Sequence, residues 1–400
     1  MQTHLADFIK DTPQGKEADA ILRSCVHCGF CLATCPTYQL LGDELDSPRG
    51  RIYLIKEMLE GAPVTEKTQL HLDRCLTCRA CETTCPSGVR YGHLLDIGRN
   101  VVEQLAPRGM ADRLTRFVLR QTLPRQKLFA GLLKIGRAVG AAPAAQAAAP
   151  WPEPRHARRM LLLQGCVQPG LTPSIDAAAA RVLDRLGISL VPVQQASCCG
   201  ALSFHLNAQK EGLDFARRNI DVWWPQIEQG AEAIVITASG CGAFVKEYGH
   251  LLRLDPAYAA RAERVSSLTR DISEVVLAEQ EQLGALLQEV KLPPAKLAFH
   301  APCTLQHGQQ ITGVVEALLT SAGFELTPVP DAHLCCGSAG TYSILQPQLA
   351  QQLGQNKAAA LVSGAPQQIA TANIGCLLHL QKNTPLPVTH WIELLDARLK

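Results

Sequence analysis

Eight of the sixteen cysteines fall in two copies of one pattern, Cys25-x2-Cys28-x2-Cys31-x3-Cys35-Pro36 and Cys75-x2-Cys78-x2-Cys81-x3-Cys85-Pro86, offset by 50 residues. Three thiolates two residues apart can each take one corner of an iron-sulfur cubane from a single tight loop. The fourth, three residues further on and followed by proline, is thrown outward onto the start of a helix, where it reaches the other cluster. The spacing thus predicts one 4Fe-4S cluster on Cys25, Cys28, Cys31 and Cys85, and a second on Cys75, Cys78, Cys81 and Cys35. Zinc knuckles or a disulfide framework would not explain four cysteines per run with the same trailing proline. Gly29 and Gly88 suit close backbone turns around an inorganic core, and His27 reads as a solvent-side modulator rather than a ligand.

The other eight cysteines form two sets, Cys166, Cys198, Cys199 and Cys241, then Cys303, Cys335, Cys336 and Cys376; the first three members are offset by 137 residues, which points to duplication. Each copy reads as an α/β unit in which every cysteine follows a strand. In the first, 160–163 leads to Cys166, 188–193 to Cys198-Cys199-Gly200, and 233–237 to Cys241, with helices near 174–186 and 207–229. In the second, 297–299 leads to Cys303, 324–329 to Cys335-Cys336-Gly337, and 368–371 to Cys376, with helices near 313–322 and 348–362. Parallel α/β sheets gather ligands at the carboxyl ends of their strands, so four thiols per copy would converge. A vicinal pair does not easily fill two corners of an ordinary cubane. A further iron-sulfur cluster, zinc, and a structural or empty thiol site therefore all stay open, with His300, His307, His333 and His379 near the second set.

The elements that must hold the first two runs are helices. One runs into Cys25 from about Ala18, and one opens at Ser47-Pro48 and extends to about Glu60, giving Ile52, Leu54, Ile55, Met58 and Leu59 to a core. Ile21, Phe30, Leu32 and Leu76 are expected to shield the clusters from water. From Arg108 to Arg137 a basic amphipathic stretch carries eight Lys or Arg and one acid, Asp112, which suits an anionic membrane surface or a partner subunit equally. The Ala/Pro-rich residues 141–154 then read as a linker. The domains expected are 1–105 for the two clusters, 106–155 for the arm and linker, 156–290 for the first repeat and 291–400 for the second.

At 400 residues and 47% apolar, with a net charge of +2, the chain can build several cores and shows no global attraction to nucleic acid. No secretory signal and no uninterrupted apolar stretch of membrane-spanning length is visible. Sixteen reduced cysteines favour a reducing compartment, so a cytoplasmic location is expected.

These motifs resemble the family of Cys-Cys-Gly-repeat iron-sulfur electron-transfer subunits, which contains the glycolate oxidase iron-sulfur subunit, the anaerobic glycerol-3-phosphate dehydrogenase C subunit, the lactate-utilisation iron-sulfur protein and heterodisulfide reductase subunits. The segments from Cys25 to Cys31, Thr37 to Glu44, Ser47 to Tyr53, Thr237 to Phe244 and Leu334 to Tyr342 are most similar to the glycolate oxidase member. The resemblance implies an α+β multidomain fold, a helical two-cluster ferredoxin-like domain followed by a duplicated Rossmann-like α/β domain. It also implies a complex in which FAD-bearing sister subunits oxidise glycolate, this chain relays electrons, and a quinone or other carrier accepts them, with peripheral contact at the cytoplasmic face of the inner membrane. The alternatives are a relative acting on D-lactate or glycerol 3-phosphate, or a heterodisulfide-reductase-like thiol/disulfide redox module. In the heterodisulfide reductase type the third element of each repeat is a Cys-x2-Cys pair. Here Ala238 and Phe244 flank a single Cys241, and Asn373 and His379 a single Cys376, so relay rather than disulfide cleavage is implied. No Gly-x-Gly-x-x-Gly follows a predicted strand, which places flavin chemistry, and any catalytic residue, on another chain.

Overall fold

The structure, a computed structural model, describes residues 1–140, 143–144, 147, 150–288 and 295–399. Linker residues 141–142, 145–146 and 148–149 and the expected boundary at 290 lie outside the described residues. The chain divides into two units, Met1–Phe117 with Asp331–Lys357, and Val118–Pro330 with Ala358–Lys400. The 331–357 segment of the second repeat, Cys335 and Cys336 included, thus groups with the two cysteine runs.

The first unit is helical through residue 117. Helices Pro13–Ser24 and Pro48–Leu59 each open with proline at the first turn and a hydroxyl cap: Thr12 accepts from Gly15 N, and Ser47 from Gly50 N. Proline is pre-shaped for that position and its missing N–H is no loss there. Helix Tyr91–Leu105 packs on Pro48–Leu59 at close range, because a Cβ on Gly98 would lie 2.7 Å from Ile55. Their apolar faces meet in a core of Leu22, Ile52, Ile55, Met58, Leu59, Leu72, Leu94 and Leu95 that also takes in Cys25, Cys75 and Cys81. Each methylene buried there is worth roughly 0.8 kcal/mol, so the core that folds the unit also fixes the thiols.

The two trailing prolines behave differently. Pro36 begins helix Pro36–Leu41 with Cys35 as its N-cap residue, as expected. After Cys85, however, Pro86-Ser87-Gly88 forms a turn that closes with Gly88 N donating to Cys85 O, and the next helix waits until Tyr91. Gly88 sits at φ +62, a conformation that stops a helix starting at Pro86.

The second unit contains two parallel four-stranded sheets. Strands β1 (Arg158–Leu162), β2 (Ile188–Pro192), β3 (Ile234–Ile236) and β4 (Thr269–Asp271) lie in the order β2-β1-β3-β4. Strands β5 (Ala295–His300), β6 (Phe324–Leu326), β7 (Gln368–Thr371) and β8 (Val388–His390) repeat that order as β6-β5-β7-β8, which is the duplication in three dimensions. The sequence reading lacked β4 and β8, whose three residues each carry no apolar run. Both end on a capping box, Asp271 with Glu274 and His390 with Glu393. The helix expected over 207–229 is Gln209–Glu228, and a short helix, Ala201–His205, that the sequence reading lacked precedes it.

The carboxyl-edge loops of the two repeats touch. Ser239 N donates to Ala372 O at 3.3 Å, Gly240 N to Asn373 Oδ1 at 3.4 Å, and Gln309 Nε2 to Ser239 O at 3.1 Å. Arg181 and Asp396 form an ion pair of 2.6 Å between the repeats.

Candidate iron-sulfur centres

Two hollows in the first unit are lined by the cysteine runs in crossed sets. One is walled by Cys25, Cys28, Cys31 and Cys85, and the other by Cys35, Cys75 and Cys78; Cys81 borders both. The loops have the same shape, since His27 (φ 54) and Gly29 (φ 86) recur 50 positions on as Thr77 (φ 53) and Arg79 (φ 60). Arg79 therefore holds a left-handed conformation that costs a non-glycine residue on the order of 1 kcal/mol, and its loop retains it to aim three sulfurs inward.

Packing sulfurs together in a poorly solvated place makes ionisation hard without a cation. Burial, then the neighbouring Cys25, pushes the Cys31 thiol up to about 11. Cys81 is raised well above an ordinary thiol, by burial and then by Cys78 and Cys75. Iron reverses this cost, because soft thiolates are what an iron-sulfur cluster binds and its binding expels their protons. Ile21 and Leu76 are buried, as expected of a water-excluding wall. Phe30, beside the turn at Gly29, also lines the first hollow but is 63% exposed rather than buried.

Sequence reasoning missed the polar shell of the second hollow. Thr37 Oγ1 lies 3.3 Å from Cys35 Sγ, Tyr91 Oη donates to Cys75 Sγ at 3.6 Å, and the guanidinium of Arg51, 1% exposed, sits against Cys35. A signal was present in Arg51, a charge on the buried stripe it shares with Ile55 and Met58. His27, by contrast, contacts Met1 Sδ, and burial followed by Arg49 lowers its pKa.

The first repeat brings its four thiols together. Cys198 is in hydrogen-bond contact with Cys166 and Cys199, and Cys199 with Cys241, so the sulfurs form a chain. Cys199 is held well below an ordinary thiol by hydrogen bonds from Cys198 and Cys241, which are themselves raised. Gly200, at φ +97, permits the vicinal pair to turn: a Cβ there would lie 2.3 Å from Gly212 O. Its N–H points at Cys198 Sγ, 3.4 Å away. Asn219 and Tyr248, both fully buried, donate to the carbonyls of Cys198 and Cys199 at 2.9 and 2.5 Å.

Beside this chain lies Asp176, whose Oδ1 accepts from Gln168 Nε2 and Thr237 Oγ1, both at 2.7 Å. Burial outweighs those bonds and raises its pKa from 3.8 to about 7. A raised carboxyl favours the fold while protonated, so its contribution is complete below pH 4 and lost as pH rises through about 7. At about 1.4 kcal/mol per pH unit, the span amounts to a few kcal/mol. Asp176→Asn is expected to flatten the fall in melting temperature between pH 5 and pH 8; an unchanged slope would remove Asp176 as its source.

The second set is divided between the units. Cys303, buried, follows β5, and Cys376, buried, lies in helix Ile374–Gln381 after β7 with Asn373 Nδ2 donating to its sulfur at 3.5 Å. His300 and His307 are buried in this unit. Cys335 and Cys336 are buried in the first unit, where Gly337 repeats the geometry of Gly200: φ +88, N–H 3.4 Å from Cys335 Sγ, and a Cβ that would lie 2.8 Å from Ala350 O. Tyr342, from the same segment, is buried; desolvation first, then the charge of Cys75, raises its phenol pKa.

The family model for a 4Fe-4S dicluster domain matches residues 21–89, and that for a cysteine-rich domain matches 160–246 and 297–381. Over the full length of both chains, the protein is 56% identical to the glycolate oxidase iron-sulfur subunit of Escherichia coli. It is 30% identical to the probable glycolate oxidase iron-sulfur subunit of Bacillus subtilis over 90% of this chain and 88% of that one. The lactate utilization protein A of Bacillus licheniformis is 29% identical over 58% of this chain and 97% of its own length. With thiol-walled hollows inside the first matched region and four joined thiols inside the second, the chain is an iron-sulfur protein that belongs to the family of glycolate oxidase iron-sulfur subunits.

Proposed function

We propose that this chain relays electrons, one at a time, from FAD-bearing sister subunits that oxidise glycolate to a quinone or another carrier. The observation that carries the reading is the pair of adjoining hollows bordered by Cys81, each completed by one cysteine of the opposite run. A 4Fe-4S cluster supplies one-electron chemistry, which a flavin reduced by two electrons needs in order to be emptied stepwise. Cys25, Cys28, Cys31 and Cys85 hold one such centre, and Cys35, Cys75, Cys78 and Cys81 the other. Ile21 and Leu76 keep water off the sulfurs, and Tyr91 directs its hydroxyl at Cys75.

The reading extends to a peripheral contact with the cytoplasmic face of the inner membrane. Among the described residues no helix is long and apolar enough to cross a bilayer. Helix Gln126–Ala138 buries Leu133 but exposes Leu128, Leu132 and Ile135, and no acidic residue occurs between Asp112 and Glu153. Arg108 and Arg116 do not belong to that surface: they are buried in ion pairs with Asp73 and Asp112.

The test is an anaerobic preparation of this chain with its flavin subunits, analysed for iron and sulfide and by paramagnetic resonance before and after glycolate. About eight irons and signals that grow on adding glycolate are expected, with D-lactate and glycerol 3-phosphate as comparison substrates. Glycolate that bleaches the flavin while the iron signals stay unchanged would refute the relay.

A further inference from the structure

The surroundings of the two hollows differ in a way that orders them. On the Cys75 side, Arg51 is 1% exposed and fully engaged: Nε donates to His71 O at 2.7 Å, Nη1 to Thr37 Oγ1 at 3.1 Å and Nη2 to Asp46 Oδ1 at 3.2 Å, with Nη1 4.0 Å from Cys35 Sγ. Arg99, also buried, donates to Leu72 O at 2.8 Å and to Cys75 O at 2.7 Å. The carboxylate facing Arg51 is Asp46, and Arg74 shares it through a 2.8 Å contact to Oδ2. These groups together carry a net positive charge. Arg51 and Tyr91 bring polar hydrogens to sulfurs of this set.

On the Cys25 side the charge is weaker and better hydrated. Cys28 is exposed; Arg49 borders this hollow and its backbone N–H bonds to Cys31, but its guanidinium, a third exposed, is paired with Glu44. Among the described residues no side chain donates to the sulfur of Cys25, Cys28, Cys31 or Cys85.

Adding an electron makes a cluster more negative, so nearby cations and sulfur hydrogen bonds raise its potential, whereas loss of water lowers it. The buried side suffers the second effect, but the low dielectric that removes water also leaves the guanidinium charges unscreened. We propose that Arg51 and Arg99 make the centre of Cys35, Cys75, Cys78 and Cys81 the higher-potential of the two, so that electrons enter at the exposed Cys28 end and run inward. The inference rests on the relay reading and deepens it. In each transfer the Cys28-side centre is oxidised by one electron and the Cys75-side centre reduced by one, no bond breaks, and no proton moves. The electron originates in a partner's reduced flavin. Arg51 and Arg99 act through the cluster as positioning residues and are not catalytic.

The experiment is redox titration of the cluster-loaded complex followed by paramagnetic resonance, with Cys28→Ser marking the exposed centre. The lower-potential signal should be the one that Cys28→Ser alters. Arg51→Gln should shift the higher wave downward by at least tenfold in its reduction equilibrium, which is 59 mV for a one-electron couple, and leave the lower wave in place. Arg51→Lys, which keeps the charge, should restore most of the shift, and Arg99→Gln should move the same wave in the same direction. Should Arg51→Gln fail to load iron, Arg99→Gln and the wild-type assignment still decide. If Cys28→Ser alters the higher wave, the order is wrong even though the relay stands; if no cluster is reduced by glycolate, the relay itself falls.

Discussion

Cys78→Ala should abolish glycolate-driven electron delivery to the physiological acceptor, while the flavin subunits continue to reduce a small artificial dye directly. The thiolate walls the Cys75 hollow, and alanine leaves one corner of the cluster with no protein ligand. Loss of even an outer partner of a metal ligand commonly weakens a site 10–100-fold, so removing the ligand itself should exceed about a hundredfold. The crossed sets sharpen the test. Cys85→Ala, although its residue lies in the second run, should extinguish the resonance of the Cys25 centre, and Cys35→Ala that of the Cys75 centre. If each variant instead removed the signal of its own run, the crossed arrangement would be refuted. Undiminished transfer in Cys78→Ala would refute the relay.

What could be read from the chain was whatever depended on local spacing. The two runs, their crossed partners in space, the α/β rhythm of the repeats and the position of nearly every cysteine after a strand follow from intervals of two, three, 50 and 137 residues. What could not be read depended on partners far apart in sequence. Strands β4 and β8 are three residues long and owe their existence to the strands beside them, β3 and β7, rather than to any alternation of their own. Arg79 adopts the backbone that Gly29 adopts, which no propensity would suggest. Phe30 was expected to be buried against a cluster; it lines the first hollow but, beside the turn at Gly29, stays largely exposed. The charged shell of Arg51, Asp46 and Arg74 spans 28 residues of chain and exists only once the helices have packed.

That shell supports the second large effect, in Asp46→Ala. Asp46 is wholly buried; its Oδ1 lies 3.2 Å from Arg51 Nη2 and 3.1 Å from His71 Nδ1, and its Oδ2 lies 2.8 Å from Arg74 Nη1. Removing the carboxylate strands a guanidinium that has almost no access to water. Breaking a buried pair from one side typically costs about 3–5 kcal/mol, most of it the price of the charge left behind. Asp46 O also accepts from Thr37 Oγ1 at 2.9 Å, so the collapse should reach the Cys35 ligand. The expected outcome is a large fall in the temperature at which iron is released, with a smaller fall in Asp46→Asn, which keeps the shape and one acceptor. Iron release is the right measure because a chain stabilised by bound clusters does not unfold in two states. Asp46→Asn further separates stability from tuning: it leaves the positive charge of Arg51 unopposed and should raise the potential of the Cys75-side centre, opposite in sign to Arg51→Gln. A fall in potential in Asp46→Asn would mean that the guanidinium charge does not govern that centre, whatever the stability of the variant.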